Sequence, residues 1–368
     1  MRKSFILILL FSIIWHTEAQ HLVKGQVKDA QSKAPLEYAT VFISNSTFGA
    51  ITDNQGQFEI EIPKGQFELV VNFMGYGSKT LAVDTENLKS EYLFELQPIP
   101  IDLKERMVEA KRDKDWYKNL KIFERFFLGE SINAKKTKIL NPEVLILDDQ
   151  SKPGSLIAKA KAPLEIENPN LGYKLTFVLT NFECEEKEKS WSYFGYPYFE
   201  ELDLPLRQMK KVEKNRLRAI NGSLTHLMRA MHEGDVEGNG FQLYPVVHKR
   251  LPNNTYEEAL GETPLTLDQV LDSGDGLGKL FIYRKPVFVL YLDEPEESSY
   301  KLQFQSSSAM SHRQGASQRD SFYQTSKLVL RGRQIRIFEN GGYFNPKELY
   351  VEGYMAWERV ADMMPIDY

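Results

Sequence analysis

The chain has 368 residues, with 46 Lys and Arg against 51 Asp and Glu for a formal net charge of −5, and 42% of its residues are hydrophobic. That balance gives no global drive toward nucleic acid or an anionic membrane. Its single cysteine, Cys184, excludes an intrachain disulfide, so stability must come from buried apolar cores, which a chain this long can build.

Met1-Arg2-Lys3, an apolar run from Phe5 to Trp15 and Thr17-Glu18-Ala19 have the three parts of a secretory signal peptide, with cleavage expected after Ala19. The apolar run falls short of the roughly 20 residues a membrane span needs. An N-terminal membrane anchor is the alternative, and without a cysteine near the cleavage position lipid attachment there is excluded. No later run reads as transmembrane. The protein is therefore expected to be exported, to the periplasm, the outer membrane or the cell surface.

From residue 20 to about 100 the pattern is β. Val27, Val41, Ile43, Phe58, Ile60, Ile62, Phe67, Leu69 and Val71 alternate with polar neighbours, as half-buried strands do. Asp53-Asn54-Gln55-Gly56 lies between two such runs and is read as a hairpin turn, because Asp and Asn bond their own backbone and Gly accepts positive φ. Pro35 and Pro63 fall at strand ends, where a missing N–H harms no ladder. Turns every 8–12 residues or so suggest a sandwich of about seven strands.

The run Gly25-Gln26-Val27-Lys28-Asp29, Pro35-Leu36, Gly49-Ala50, Thr52-Asp53, Gly56, Phe58, Pro63, Gly65 and Gly75-Tyr76 resembles the carboxypeptidase-like regulatory domain. That family is a prealbumin-like β-sandwich common at the start of envelope proteins in Bacteroidota-type bacteria. The resemblance implies architecture and no activity, because in that family the module accompanies metallocarboxypeptidases, TonB-dependent receptors and many uncharacterised proteins. A TonB-dependent receptor would need a plug and a barrel of 22 strands, more than the rest of the chain can supply.

Residues 101–115 are rich in mixed charge and read as a connector. Trp116, Leu120, Phe123 and Phe127 then keep helical spacing, and their aromatic stripe is expected to seal a junction between domains. Strands are expected at Val144 to Leu147, Leu156 to Ala162, Gly172 to Leu179, Phe241 to Val247, Leu280 to Leu292, Tyr300 to Phe304, Lys327 to Leu330 and Ile335 to Phe338. Leu217, Ile220, Leu224, Leu227, Met228 and Met231 are helical in spacing. Asn221-Gly222-Ser223 should break that helix, with Ser223 capping the second part. A terminal helix is expected over about 353–363, before Pro365. The fold class is thus mainly β: the sandwich, then a larger β-rich domain with a few packed helices over 116–368. Motifs such as Leu171-Gly172-Tyr173-Lys174-Leu175 and Gly353-Tyr354-Met355-Ala356-Trp357-Glu358 look like those of uncharacterised Bacteroidota proteins, which implies no activity.

His21, His226, His232, His248 and His312 have no Glu three residues on, so the His-x-x-Glu pattern of zinc carboxypeptidases is missing, and His232-Glu233 is followed by Gly234 rather than by a second ligand pair. No Gly-x-Ser-x-Gly motif occurs, and Ser223 with His226 is the pair that could serve a dispersed triad, against its reading as a cap. Gly274 to Lys279 fails phosphate-loop spacing, and Asp293-Glu294-Pro295-Glu296-Glu297 lacks the glycine of a calcium loop and reads as a solvated turn. Cys184, flanked by Glu183, Glu185 and Glu186, is unsuited to a thiolate and reads as structural. No cofactor is expected.

One charge concentration stands out: Arg207, Lys210, Lys211, Lys214, Arg216, Arg218 and Arg229 against Glu213. It reads either as a solvated helix face or as a contact for an anionic surface, lipid phosphate or an acidic protein patch. Export would remove nucleic acid as a natural partner. The expectation is a non-enzymatic exported envelope protein that binds or scaffolds another macromolecule. A hydrolase with a dispersed triad and a lipid or glycan carrier are the alternatives.

Overall fold

The computed structural model describes residues 21–99, 113–187, 190–274, 278–305 and 323–368. The expected signal peptide, residues 101–112 of the connector and the centre of the Gly274 to Lys279 segment lie outside the described residues. No described helix is long and apolar enough to cross a membrane.

The first unit has seven strands: β1 (His21–Asp29), β2 (Thr40–Ile43), β3 (Gly49–Ile51), β4 (Gln57–Ile62), β5 (Gln66–Asn72), β6 (Lys79–Asp84) and β7 (Tyr92–Leu96). They form two sheets, ordered β4-β1-β7 and β3-β2-β5-β6, with β1 antiparallel to β4 and parallel to β7. All nine alternating apolar residues read from the sequence are buried, and they pack between the sheets. At the 53–56 turn Gly56 has φ +71, and Asp53 Oδ1 accepts from the backbone N–H groups of Gln55 and Gln57. The hairpin expectation is corrected, because β3 pairs with β2 and β4 with β1, so this turn carries the chain from one sheet to the other. Two apolar runs around a turn look alike in either case.

The larger region begins with helix α1 (Lys114–Phe127), capped by Asp113, whose carboxylate accepts from the N–H groups of Asp115 and Trp116. A six-stranded sheet follows, from β8 (Lys138–Ile139), β9 (Leu145–Asp148), β10 (Ser155–Ala160), β11 (Leu164–Asn168), β12 (Tyr173–Glu185) and β13 (Ser190–Glu201). The aromatic stripe of α1 does not seal a junction. Phe123 and Phe127 are fully buried against Phe182 and Phe177 of β12, so they build the core of this sheet.

Helices α2 (Leu206–Ile220) and α3 (Leu224–Glu233) come next, broken at Asn221 to Ser223 as expected, with Ser223 Oγ accepting from the His226 N–H. After them run β14 (Phe241–Arg250), β15 (Tyr256–Leu260), α4 (Leu267–Val270), β16 (Leu271–Asp272), β17 (Lys279–Phe281), β18 (Val287–Tyr291), α5 (Ser298–Gln305), β19 (Gln324–Leu330), β20 (Ile335–Ile337), β21 (Tyr343–Phe344), β22 (Leu349–Gly353) and α6 (Tyr354–Trp357). They give a five-stranded sheet, β15-β14-β18-β19-β22, and a four-stranded one, β16-β17-β20-β21, around a second core into which α3 inserts Leu227, Met228 and Met231.

Three local expectations are corrected here. Residues 300–304 lie in helix α5, where Tyr300 packs edge-on against Tyr354 and Trp357. Leu280 to Leu292 is two strands rather than one. The terminal helix ends at Trp357 and resumes as a 3-10 turn at Val360–Asp362. Between them Arg359 is extended, which lets its guanidinium lie 4.0 Å from the Trp191 ring and bond the Arg125 carbonyl.

The two units meet along β13, an edge strand that the sequence reading missed. Its outer edge is covered by the loop after β2: Asn45 N–H donates to Pro197 O at 2.6 Å and Phe199 N–H to Ser46 O at 3.0 Å. Covering an edge in this way removes a template for unwanted strand addition. Phe42 and Val70, on the outward face of their sheet, are fully buried against Tyr196. The C-terminal tail closes the seam, with Ile366 in the sandwich core and its N–H bonded to Asn45 O at 2.9 Å.

Candidate partner-binding face

Helix α2 begins at Pro205 with no side-chain cap and no acid in its first turn. Val212, Ala219 and Ile220 bury its inner face, while Arg207, Lys210, Lys211 and Lys214 project into solvent. Among the described residues none of these four makes an ion pair. Leu206, 87% exposed, and Leu217, 55% exposed, flank the same face. Four of the cation pairs, Arg207 with Lys210 and Lys211, and Lys214 with Lys210 and Lys211, stand three or four residues apart. Like charges at those spacings destabilise a helix by about 0.2–0.5 kcal/mol each. Cations in the first turn also oppose the helix dipole.

Arg216 and Arg218, read from the sequence as members of this cluster, lie elsewhere. Arg216 is buried: its Nε donates to Leu171 O at 2.7 Å, its Nη1 to Glu201 Oε1 at 2.9 Å, and its guanidinium sits 4.0 Å from the Tyr173 ring. Its position, 280° around the wheel from Leu206 at about 100° per residue, places it on the inner face. Arg218 is half-buried and lines the same cavity as Glu358 and Asp362, where its charge only partly offsets the burial that raises both their pKa values. Arg229 bonds the carbonyls of Asn340 and Ile366.

The Ser223 and His226 pair is a cap. Ser223 Oγ meets the His226 backbone, His226 Nδ1 accepts from the Gly222 N–H at 3.1 Å, and Nε2 lies 3.4 Å from Asn239 Oδ1. Among the described residues no carboxylate bonds the ring. Cys184 is buried in β12, and burial above all pushes its thiol up to about 11. A groove of about 430 Å³ opens beside α1, and Glu124, Arg125 and Lys138 give it charged walls unlike those of an apolar lipid pocket.

Residues 23–108 match the family model of the CarboxypepD_reg-like domain. The first unit is that domain. No curated protein matches the chain. Among solved structures, a type II cohesin–X-dockerin complex from Acetivibrio cellulolyticus is similar at 23% identity, over 20% of this chain and 52% of that one, with a TM-score of 0.18. This chain thus spans about half the length of that relative. A membrane-associated protein of unknown function from Bacteroides fragilis NCTC 9343 shares 15% identity over 44% of this chain and 65% of that one, also at a TM-score of 0.18. Superpositions this slight carry no argument about function.

Proposed function

We propose that the chain is a non-enzymatic, exported envelope protein that binds an acidic macromolecular partner, most simply another protein, through the outer face of α2. The observation that carries this reading is the α2 face itself: four cations that make no ion pair among the described residues, at mutually repelling spacings and flanked by exposed leucines. Fold stability gains nothing from that arrangement, and an anionic partner would relieve it. The CarboxypepD_reg-like domain supports a binding architecture by covering the edge of β13 and holding it in place.

The test is photo-crosslinking in native envelopes from a reactive residue placed at Gln208, with partner capture followed across salt. Screening shortens from about 10 Å at 0.1 M to about 3 Å at 1 M, so capture should fall steeply. The triple change Lys210→Glu, Lys211→Glu, Lys214→Glu should abolish it and slow association more than dissociation. Capture that survives both high salt and the triple change would overturn the reading.

A further inference from the structure

Beneath the C-terminal end of α2 lies a cavity of about 30 Å³, room for a single ion or water. Its polar wall is mostly oxygen. Glu358 and Asp362 reach it from the C-terminal segment, Glu294 and Glu297 from the loop before α5, Asn133 from the loop after α1, and Gln324 from the start of β19. Four carboxyl groups thus share the space with one guanidinium, that of Arg218.

Part of this set is internally satisfied. Asp362 Oδ1 accepts from Ser131 Oγ and Asn133 Nδ2, both at 2.9 Å, and Glu297 accepts from the Ile132 N–H and Ser299 Oγ. Glu294 accepts from Asn221 Nδ2 at 3.1 Å. Three buried acceptors have no donor among the described residues: Asp362 Oδ2, Asn133 Oδ1 and Gln324 Oε1, on residues 8%, 2% and 4% exposed. Buried polar atoms are seldom left so, and three on one small cavity wall call for a shared electropositive partner.

We propose that this cavity binds one hard divalent cation, calcium fitting best, with oxygen donors from Asp362, Asn133, Gln324 and Glu358. The donor set contains no sulfur or imidazole, which disfavours zinc and copper. Calcium accepts carboxamide oxygens in irregular shells of six to eight, whereas magnesium demands near-ideal octahedra. Among the described residues no three carboxylate, imidazole or thiol groups converge as a metal cage, so the set is a mixed one and its affinity modest. Burial above all pushes Asp362 up to about 6, against the lowering hydrogen bonds from Ser131 and Asn133, while burial and then the charges of Asp362, Glu297 and Glu294 push Glu358 well above the usual carboxylate range, a crowding of negative charge that a cation offsets. The cavity shares Glu294 and Glu297 with the 293–297 motif rejected on sequence grounds, but its unpartnered donors come from three other segments. A bound ion would tie the loop after α1, β19 and the C-terminal segment together.

The full chain, stripped with EDTA, is titrated with terbium, whose luminescence Tyr354 on the cavity wall can sensitise. Saturable luminescence displaced by calcium is expected, together with a melting temperature raised on the order of 5 °C at calcium a hundredfold above its Kd. Glu358→Gln and Asn133→Leu should each weaken terbium binding at least tenfold, and Asp362→Asn more so where it folds. Absence of any saturable signal or melting shift with terbium, calcium or magnesium would overturn the proposal, leaving water or a proton shared between carboxyl groups as the occupant. Binding unchanged in both Glu358→Gln and Asn133→Leu would also overturn it, by placing the ion elsewhere.

Discussion

Arg216 has 7% of its side chain exposed, while its partner Glu201 stays 63% exposed. The asymmetry predicts where the energy lies. Arg216→Met leaves the Leu171 and Gly172 carbonyls without their donor and should cost about 2–3 kcal/mol. Glu201→Gln removes only an exposed half of the pair and should cost under about 1 kcal/mol. Equal losses in urea unfolding would contradict this account. Nothing in a single sequence separates Arg216 from Lys214, since both read as helix-surface cations until the register of burial is known. Other residues were legible. Asp29 and Tyr76 belong to the strand-and-turn pattern, and the Tyr76 hydroxyl, with the Ser32 N–H, holds the Asp29 carboxyl down to about 2. Gly56 was read as needing positive φ, and the fold adds a second reason: a Cβ there would meet Val27 O at 2.4 Å. Gly56→Val should therefore cost more than the roughly 1–3 kcal/mol of backbone strain alone. An unchanged thermal midpoint would refute the turn assignment.

His226 also makes a pH prediction. Burial holds its pKa below the ordinary 6.5, and Nδ1 accepts a hydrogen bond that a proton would abolish. The unfolded chain then binds the proton more readily than the folded one, so this contribution to stability is complete above pH 6.5 and is lost as pH falls below it. Melting temperature followed from pH 8 to pH 5 should decline on the acid side, and His226→Gln should flatten the decline. His232 is shifted the same way by burial, so the slope should shrink rather than vanish. A steeper slope in the variant would reverse the sign argued here.

At the scale of elements, periodicity worked where one face alone is buried. The α1 stripe, the α2 to α3 break and most strands of the sandwich obey a single period, so the pattern is visible without tertiary knowledge. What the stripe packs against was not visible, because an aromatic face fits a sheet within its own domain as well as a neighbouring domain. Phe127, stacked on Phe123 and edge-on to Phe177 and Tyr193, is the centre of that contact. Phe127→Ala should cost about 3–5 kcal/mol, as buried aromatic truncations do, whereas Tyr117→Ala on the exposed side should stay within about 0.5 kcal/mol. Similar losses at the two positions would mean that α1 packs otherwise. Strand β13 escaped notice because Trp191, Tyr193, Phe194, Tyr196, Tyr198 and Phe199 put aromatics on both faces. One face meets the core of its own sheet and the other meets the sandwich, which erases the alternation a half-buried strand would show. The unpartnered oxygens around Asp362 could not be foreseen either, since their residues are scattered between positions 133 and 362.

At the scale of the whole molecule, the seam between the two units has two independent parts. One is the pairing of Asn45 and Ser46 with β13, together with Phe42 and Val70 under Tyr196. The other is the tail: Ile366 sits in the sandwich core, Asp367 accepts from the Thr47 N–H at 3.0 Å and from its hydroxyl, and Arg229 holds the Ile366 and Tyr368 carbonyls at 3.1 Å. Those bonds reach across the chain from its last residues to its first strands. Phe42 and Val70 were the sequence's own hint of the seam, being apolar at positions where the alternation calls for polar residues. Because the tail belongs by chain connection to the larger region and by packing to the sandwich, it should couple their unfolding. Deleting residues 366–368 removes a buried Ile and leaves the half-buried Arg229 short of two acceptors, a cost of about 3–5 kcal/mol set against the seam rather than against either core. Calorimetry should then show the intact chain melting in one transition and the shortened chain in two, with the CarboxypepD_reg-like domain melting apart from the rest. A shortened chain that still melts once, at the same temperature, would show that the β13 pairing alone fuses the two units.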